Sequence, residues 1–259
     1  MKVLVDTHSH TVASTHAYST VHDYFTQAKL KQLQMFSITD HGPEMPDAPH
    51  PWHFGNMKVI PRVVDNVAML RAIEGNILNT QGDLDVLPGM MPYLDFIIAS
   101  FHEPVFAPSD LATHTQAMVN VIEQGQCQII GHPGNPNYPI DIEAVLTAAK
   151  ANNVAVEINN SSFTHSRQGS EANCVAILEM AVRLGTKVSF GSDAHIAFHV
   201  GDFHHCIAKA KQVGLPETQI VNRTPESFLA FLHEHGKSVA LELADWCQGL
   251  SGENHVEET

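Results

Sequence analysis

An α/β fold built on a largely parallel sheet is what this sequence predicts, on three observations. Short apolar runs alternate with stretches of helical period along the chain, the order expected when strands are followed by crossover helices. One run after another stops at a histidine or a carboxylate, which puts polar chemistry at strand ends. The length, 259 residues, is within the range of a single α/β barrel. A closed barrel and an open doubly wound sheet both satisfy these facts. No G-x-G-x-x-G or G-x-x-x-x-G-K-S/T follows the first run, so a nucleotide-binding open sheet loses its best support.

The strand-like runs cover residues 3–5, 35–39, 69–73, 96–100, 128–131, 154–158 and 187–190. Helical period is clearest over 23–33, 141–151 and 172–184. Thr224-Pro225-Glu226 reads as a helix start, with a capping hydroxyl, proline in the first turn and an acid beside it. It opens a late helix over 225–235, stopped by Gly236. The proline-rich stretch 42–51 reads as a long loop, and the polar tail from about residue 250 is expected to fray. No linker or internal repeat divides the chain, so residues 1–259 are read as one domain.

The first run ends in His8-x-His10. Residues two apart on a strand face the same way, so two imidazoles leave the strand tip together. By itself the pair is a weak signal, but it recurs in kind. His16 lies in the loop that follows, the second run ends Thr39-Asp40-His41, and the third ends Ile73-Glu74. The next two end Phe101-His102 and Gly131-His132. The sixth is Glu157-Ile158-Asn159-Asn160, and the last ends Ser192-Asp193-Ala194-His195. In a parallel barrel all strand carboxyl ends open on one face, so these groups would converge. Seven histidines, Glu74 and Asp193 exceed the needs of one tetrahedral site. At three or four protein ligands per ion they could hold two or three metals, provided one carboxylate bridges.

Composition narrows the partners. The 18 histidines outnumber 14 Lys+Arg, and the net charge is -14. Such acidity disfavours a grip on duplex nucleic acid or on an anionic membrane. It does not exclude an anionic substrate, because bound divalent cations reverse the local sign. No apolar run approaches the roughly 20 residues that span a bilayer, and the amino terminus does not read as a signal peptide. Cys127, Cys174, Cys206 and Cys247 are scattered, with no C-x-x-C; a cytoplasmic location is expected.

Asp6-Thr7-His8-Ser9-His10, Thr39-Asp40-His41-Gly42, Glu74, Phe101-His102, Gly131-His132-Pro133 and Ser192-Asp193-Ala194-His195 together resemble the PHP (polymerase and histidinol phosphatase) family. The match is closest to its stand-alone YcdX-like branch of metal-dependent phosphatases, and it covers the chain through the late helix. The resemblance implies a distorted seven-stranded (β/α) barrel, TIM-like, with three divalent metal ions at the carboxyl ends of the strands. It assigns His8, His10, Glu74 and Asp193 to the first ion. Glu74 would bridge to a second ion held by His102 and His132, and His16, His41 and His195 would hold the third. Zinc is the expected metal, with manganese or iron also compatible with an all-N/O ligand set. A homo-oligomer, a trimer in this branch, is expected.

The reaction this implies is hydrolysis of a phosphomonoester, a small phosphorylated substrate, by a metal-activated water. No serine or cysteine stands in an activated context such as G-x-S-x-G. Competing readings are a C–N hydrolase of the amidohydrolase type, a 3'–5' exonuclease and a non-catalytic metal-binding regulatory module. Glu74, Thr39-Asp40-His41 and the Asp193-x-His195 ending argue against the first, net acidity against the second, and intact ligand positions against the third. Arg62 and Arg167, with Lys58 behind them, are the candidate cations for phosphoryl oxygens. Asp6, on the strand parity of His8, is expected to orient a ligand imidazole from behind, and Asp40 and Asn159 are further candidates for such support. Glu157 reads as a structural or supporting acid. The remaining histidines, including His50 and His53 in the long loop, read as surface or core.

Overall fold

The structure, a computed structural model, describes residues 1–253, with side chains through residue 250. Its strands are β1 (Val5–Asp6), β2 (Met35–Ile38), β3 (Val63–Val64), β4 (Val67–Asn76), β5 (Phe96–Ser100), β6 (Ile129–Ile130), β7 (Ala155–Asn159) and β8 (Val188–Gly191). The helices are α1 (Val21–Leu30), α2 (Trp52–Asn56), α3 (Leu111–Glu123), α4 (Ile142–Ala151) and α5 (Ser170–Leu184). They continue with α6 (His204–Val213), α7 (Pro225–Glu234), α8 (Val239–Glu242) and α9 (Ala244–Glu253). Seven strands pair in parallel in the order β1-β2-β4-β5-β6-β7-β8, and β3 folds back antiparallel on the start of β4. The result is a nearly closed β/α barrel.

Each strand-like run of the sequence overlaps one of the seven parallel strands; only β3 was not legible, its half-buried Val63 and Val64 folding back on the start of β4 with no apolar run of their own. The helix starts follow their caps. Thr20 and Asp23 form a reciprocal capping box ahead of α1, Asp141 caps α4, and Thr224 accepts from the Ser227 amide ahead of α7. Two crossover helices lacked a readable apolar stripe. In α3 the buried Met118, Val121 and Ile122 sit among Thr, Gln and Asn, and α6 buries only Cys206 and Ala210. The helix α9 carries regular structure past Gly249, where fraying was expected; the tail beyond residue 253 lies outside the described residues.

The barrel closes without an eighth paired strand. Between β8 and β1 the segment after α6 fills the lower half of the seam: Ile220 bridges Val188, and Leu4 N donates to Arg223 O at 2.9 Å. The Asn222 amide donates to Val5 O at 2.8 Å and to Phe190 O at 2.7 Å, stitching the two edges. In the upper half Ser9 bridges Ala194, and Asp193 N donates to His8 O at 2.9 Å. Open strand edges are costly when buried, so one asparagine and a short extended segment do the work of a missing strand.

The inward side chains change character from floor to mouth. Val5, Met35, Leu70, Ala72, Phe96 and Ile98 form an apolar lower layer, sealed from below by Phe228 and Leu232 of α7 and by Val239 and Leu243. On the same inward rows Glu74 stands two residues beyond Ala72, and His102, past β5, four beyond Ile98. Apolar burial stabilises the floor; the mouth is left to polar groups that need partners.

Candidate metal centre

All nine candidate ligands, eight expected at strand ends and His16 in a loop, are brought to the mouth. Glu74, fully buried at the end of β4, is the hub. Its Oε2 lies 3.3 Å from His8 Nε2, 3.4 Å from His10 Nε2 and 3.3 Å from His41 Nδ1. Its Oε1 lies 2.8 Å from His132 Nε2 and 3.4 Å from His102 Nε2. Asp193 Oδ1 lies 3.3 Å from His10 Nε2 and 3.5 Å from His195 Nδ1. His16 joins from the outside, its ring centre 4.4 Å from that of His195 and 5.3 Å from that of His41.

The local backbone explains part of this convergence. β1 stops at Asp6, so His8 and His10 stand beyond it on an extended segment held by Ser9 N to Thr39 Oγ1 (3.1 Å) and His10 N to Ala194 O (2.9 Å). The Tyr24 hydroxyl, fully buried, faces His10 O at 2.7 Å and Ala194 O at 2.6 Å, with one proton for both. His132 and Asp193 both adopt positive φ, 30° and 54°. Non-glycine residues in that region cost of order 1 kcal/mol or more; here they turn two donors into the mouth.

Three rings are tied at Nδ1 and thereby turn Nε2 inward. His8 Nδ1 lies 2.8 Å from Glu157 Oε1, His102 Nδ1 lies 2.7 Å from Asn76 Oδ1, and His16 Nδ1 lies 2.6 Å from Asp47 Oδ2. An oxygen on one ring nitrogen fixes the tautomer that presents the other as a lone pair. Glu157 was read in sequence as a structural or supporting acid, and it also accepts from His132 N at 2.8 Å. Asp47 was not foreseen. It lies in the proline-rich loop 42–51, where no strand parity marks it, and only its contact with His16 gives it away.

The supporting residues fall differently from the expectation. Asp6 does not hold an imidazole. Val5 takes the inward position, so Asp6 faces the seam and accepts from the amides of His8 (3.2 Å), Ser192 (3.1 Å) and Gly201 (2.7 Å). Asp40 accepts from Thr11 N, Thr11 Oγ1 and Ser14 Oγ, each at 2.8 Å, and pairs with His53 Nε2 at 3.0 Å. Ser14 Oγ in turn accepts from His41 N at 3.0 Å, so Asp40 organises the loop carrying His10 and His16. Asn159 donates to Glu157 Oε2 (3.1 Å) and Asp193 Oδ2 (3.3 Å) and accepts from Arg167 at 2.9 Å.

The candidate cations separate cleanly. Arg167, itself at φ 52°, donates from Nη2 to Asp193 Oδ2 at 2.6 Å and from Nε to Ser162 Oγ at 2.9 Å. Arg62 is at the other end of the barrel, where it forks onto Asp95 and onto Glu242 of α8. It precedes β4, so it meets the amino end of that strand, not the end that bears Glu74. Lys58 lies over the Tyr93 ring, 5.0 Å from its centre, beside a cavity of about 810 Å³ behind Trp52 and Met90. That cavity is the larger, but the cluster opens into another, of about 430 Å³, lined by Arg167, Glu74, Asp193 and the outer histidines.

The electrostatics are those of a site built around positive charge. Burial disfavours both carboxylates as anions, yet the imidazoles around Glu74, His8 foremost, hold it well below the usual carboxylate range. His8 and Arg167 do the same for Asp193. Burial works against His8 as a cation, and Glu157, Glu74 and Asp193 outweigh it and raise its pKa. His41 is pushed well down by burial and by His10, and His195 down to about 4 by the same two causes. Neutral imidazoles and ionised carboxylates are the forms that bind metal.

Divalent cations fit these residues. His10 Nδ1 and both His41 ring nitrogens are buried without a hydrogen bond, and His8 Nε2 faces His10 Nε2 at 3.1 Å. Donor atoms fall into overlapping groups within 4.8 Å: His8, His10, Asp193; His41, Glu74, His102; His10, His41, His195; and His16, His41, Asp47. Unpaired buried nitrogens at such spacing are costly unless a cation takes their lone pairs.

No family model matches the sequence. Whole-chain relatives do. A protein of Aeromonas hydrophila subsp. hydrophila named a probable phosphatase is 55% identical over 245 residues, covering 95% of this chain and 100% of its own. A probable phosphatase of Shewanella sediminis is 54% identical over the same extent. The chain belongs to this phosphatase family. Among solved structures, the histidinol phosphate phosphatase of Lactococcus lactis, complexed with zinc, L-histidinol and phosphate, superposes on this phosphatase-family chain. The TM-score is 0.58 at 18% identity, over 82% of this chain and 94% of that one. A chain of an archaeal ribonuclease P complex gives a TM-score of 0.60 at 12% identity, over 90% and 92%. At these identities the two structures establish the shared barrel fold of the family member described here.

Proposed function

We propose that the protein is a PHP-type, YcdX-like metal-dependent phosphatase that hydrolyses a small phosphomonoester at a trinuclear site. The observation that carries the reading is Glu74, whose two oxygens face separate sets of imidazoles, three on one side and two on the other. Nine donor residues, with Glu74 shared, supply three or four ligands to each of three ions. His8, His10, Glu74 and Asp193 would hold one, Glu74, His102 and His132 the second, and His16, His41 and His195 the third. Divalent ions in such a cluster acidify water and neutralise the charge that gathers on a phosphoryl group during transfer.

The chain's own residues do the rest. Arg167 is fixed on two sides by Asp193 and Ser162, and its Nη1 makes no hydrogen bond among the described residues, so a cation donor remains to orient a phosphoryl oxygen. Glu157, Asn76 and Asp47 hold three rings in the lone-pair-inward tautomer. Zinc suits the donor set, and the zinc bound by the Lactococcus lactis structure supports it.

Elemental analysis paired with p-nitrophenyl phosphate hydrolysis tests this reading. Three ions per chain are expected, with turnover lost on chelation and restored by zinc or manganese. His10→Ala in a folded barrel is expected to lower turnover by at least about a thousandfold. A protein that takes up no metal under any loading, or a His10→Ala variant with near-native turnover, would sink it.

A further inference from the structure

The cavity over the cluster has an inner and an outer wall. The inner wall carries the donor residues, and the outer wall is built from His165, His199 and Tyr18. The His165 and His199 rings are exposed and lie nearly parallel, with centres 5.6 Å apart and planes 15° apart. Neither ring has an ion-pair or hydrogen-bond partner among the described residues; each contacts the other.

The loops bearing these rings are fixed before any ligand arrives. The amides of His165 and Ser166 both donate to Ser161 O at 3.1 Å, and His199 N donates to Ile196 O at 2.9 Å. Lys31 Nζ reaches from α1 to Phe198 O and, at 3.0 Å, to Val200 O. Tyr18 N donates to His195 O at 2.8 Å, which ties that ring's backbone to the cluster. The charges are equally telling. The carboxylates lining the cavity are Glu74 and Asp193, both already surrounded by imidazoles and Arg167, and no lysine lines it.

We propose that the His165–His199 pair, with Tyr18 beside it, is the seat for a planar aromatic leaving group on the phosphate ester, an assignment that rests on the phosphatase reading. A stacked pair of nearly parallel rings leaves an outer π face on which another ring stacks, and a preformed shelf loses little conformational freedom on binding. An amino-alcohol leaving group such as histidinol would bring an ammonium, for which this wall has no free carboxylate.

Phosphonates, which cannot be hydrolysed, separate binding from turnover. On the metal-loaded enzyme, phenylphosphonate is expected to inhibit more tightly than ethylphosphonate by roughly three- to tenfold, the effect of one aromatic contact. The double variant His165→Ala/His199→Ala is expected to erase that preference, with metal content and inhibition by inorganic phosphate retained. Equal inhibition by the two phosphonates in the native protein would overturn the proposal, as would a preference that survives the double variant. Tighter binding of 2-aminoethylphosphonate or of 3-phosphonopropionate than of phenylphosphonate would overturn it in favour of a cationic or a second anionic group. If no phosphate ester is turned over, the phosphatase reading fails by itself, and calorimetric binding of the same phosphonates still decides the shelf.

Discussion

Arg62 and Arg167 look alike in sequence: each is a lone arginine in a loop, and each was a candidate phosphate anchor. Their surroundings make them opposites. Arg62 is 13% exposed and saturated, with two edges of its guanidinium given to Asp95 and Glu242 at the barrel floor. Arg167, at the mouth, donates from Nη2 and Nε to Asp193, Asn159 and Ser162, keeps Nη1 without a hydrogen bond among the described residues, and borders an open cavity. The floor is where the chain closes on itself, through α7, α8 and the apolar layer above them. At the mouth the same barrel tolerates left-handed His132, Arg167 and Asp193 and buried nitrogens with no protein partner. Stability is concentrated at one end and chemistry at the other, as in barrels generally.

The largest expected effect breaks the pair apart at the floor. Arg62→Ala leaves Asp95, 7% exposed, without its cation and frees Glu242 from α8. Removing one member of a largely buried pair costs about 3–5 kcal/mol, and one that reaches the surface through Glu242 belongs at the low end. Denaturant unfolding should show that loss, while kcat/KM of the surviving folded enzyme stays native. An unchanged unfolding midpoint, or a fall in kcat/KM at full metal content, would show that the two arginines are not opposites.

Arg167→Ala sharpens the same comparison from the other side. A fixed donor to a reacting oxyanion is worth about a hundred- to a thousandfold in rate, and the expectation here is toward a hundredfold because the ions share the task. Little stability should go with it, since its one charged partner, Asp193, is already surrounded by the cluster and its other partners, Asn159 and Ser162, are neutral. Steady-state kinetics beside an unfolding curve decides: a variant that unfolds early but turns over normally would make Arg167 a structural residue.

How far the sequence reached follows the same division. Groups at the mouth stand at strand ends, where parity and repetition mark them, and His8 through His195 could be named in order. Polar partners contributed by loops carry no such mark. Asp47 is one acid among prolines, and Asp6 was misread because β1 ends before the alternation reaches His8. The seam carried no sequence mark for a related reason. Asn222 replaces a strand with a single amide, and a single asparagine after a helix has no period to detect. Arg62 went to the wrong end because it directly precedes β3 and β4 and so meets the amino end of β4, whereas a phosphate anchor has to stand at the carboxyl end.

The smallest effect concerns the outermost ring of the cluster. His16 is the exposed member of the nine, its side chain 53% exposed, and it sits on a loop instead of a strand end. Its main restraint is Asp47, whose carboxylate meets Nδ1 and whose carbonyl accepts from Thr15 N at 3.1 Å. Asp47→Asn keeps the carbonyl and the shape but replaces a charged acceptor by a neutral one. Partners of metal-ligating histidines change affinity by about 10–100-fold, and the neutral acceptor should fall near the lower figure. Titration with zinc should therefore show one ion per chain weakened and the others unmoved, because Glu157 and Asn76 hold the inner rings independently. Asp47→Ala should weaken the same ion further. If all ions weaken together, the cluster binds as one unit and the division into an inner pair and an outer ion is wrong. If none weakens, His16 is placed by its loop backbone, and the tether at Nδ1 is incidental.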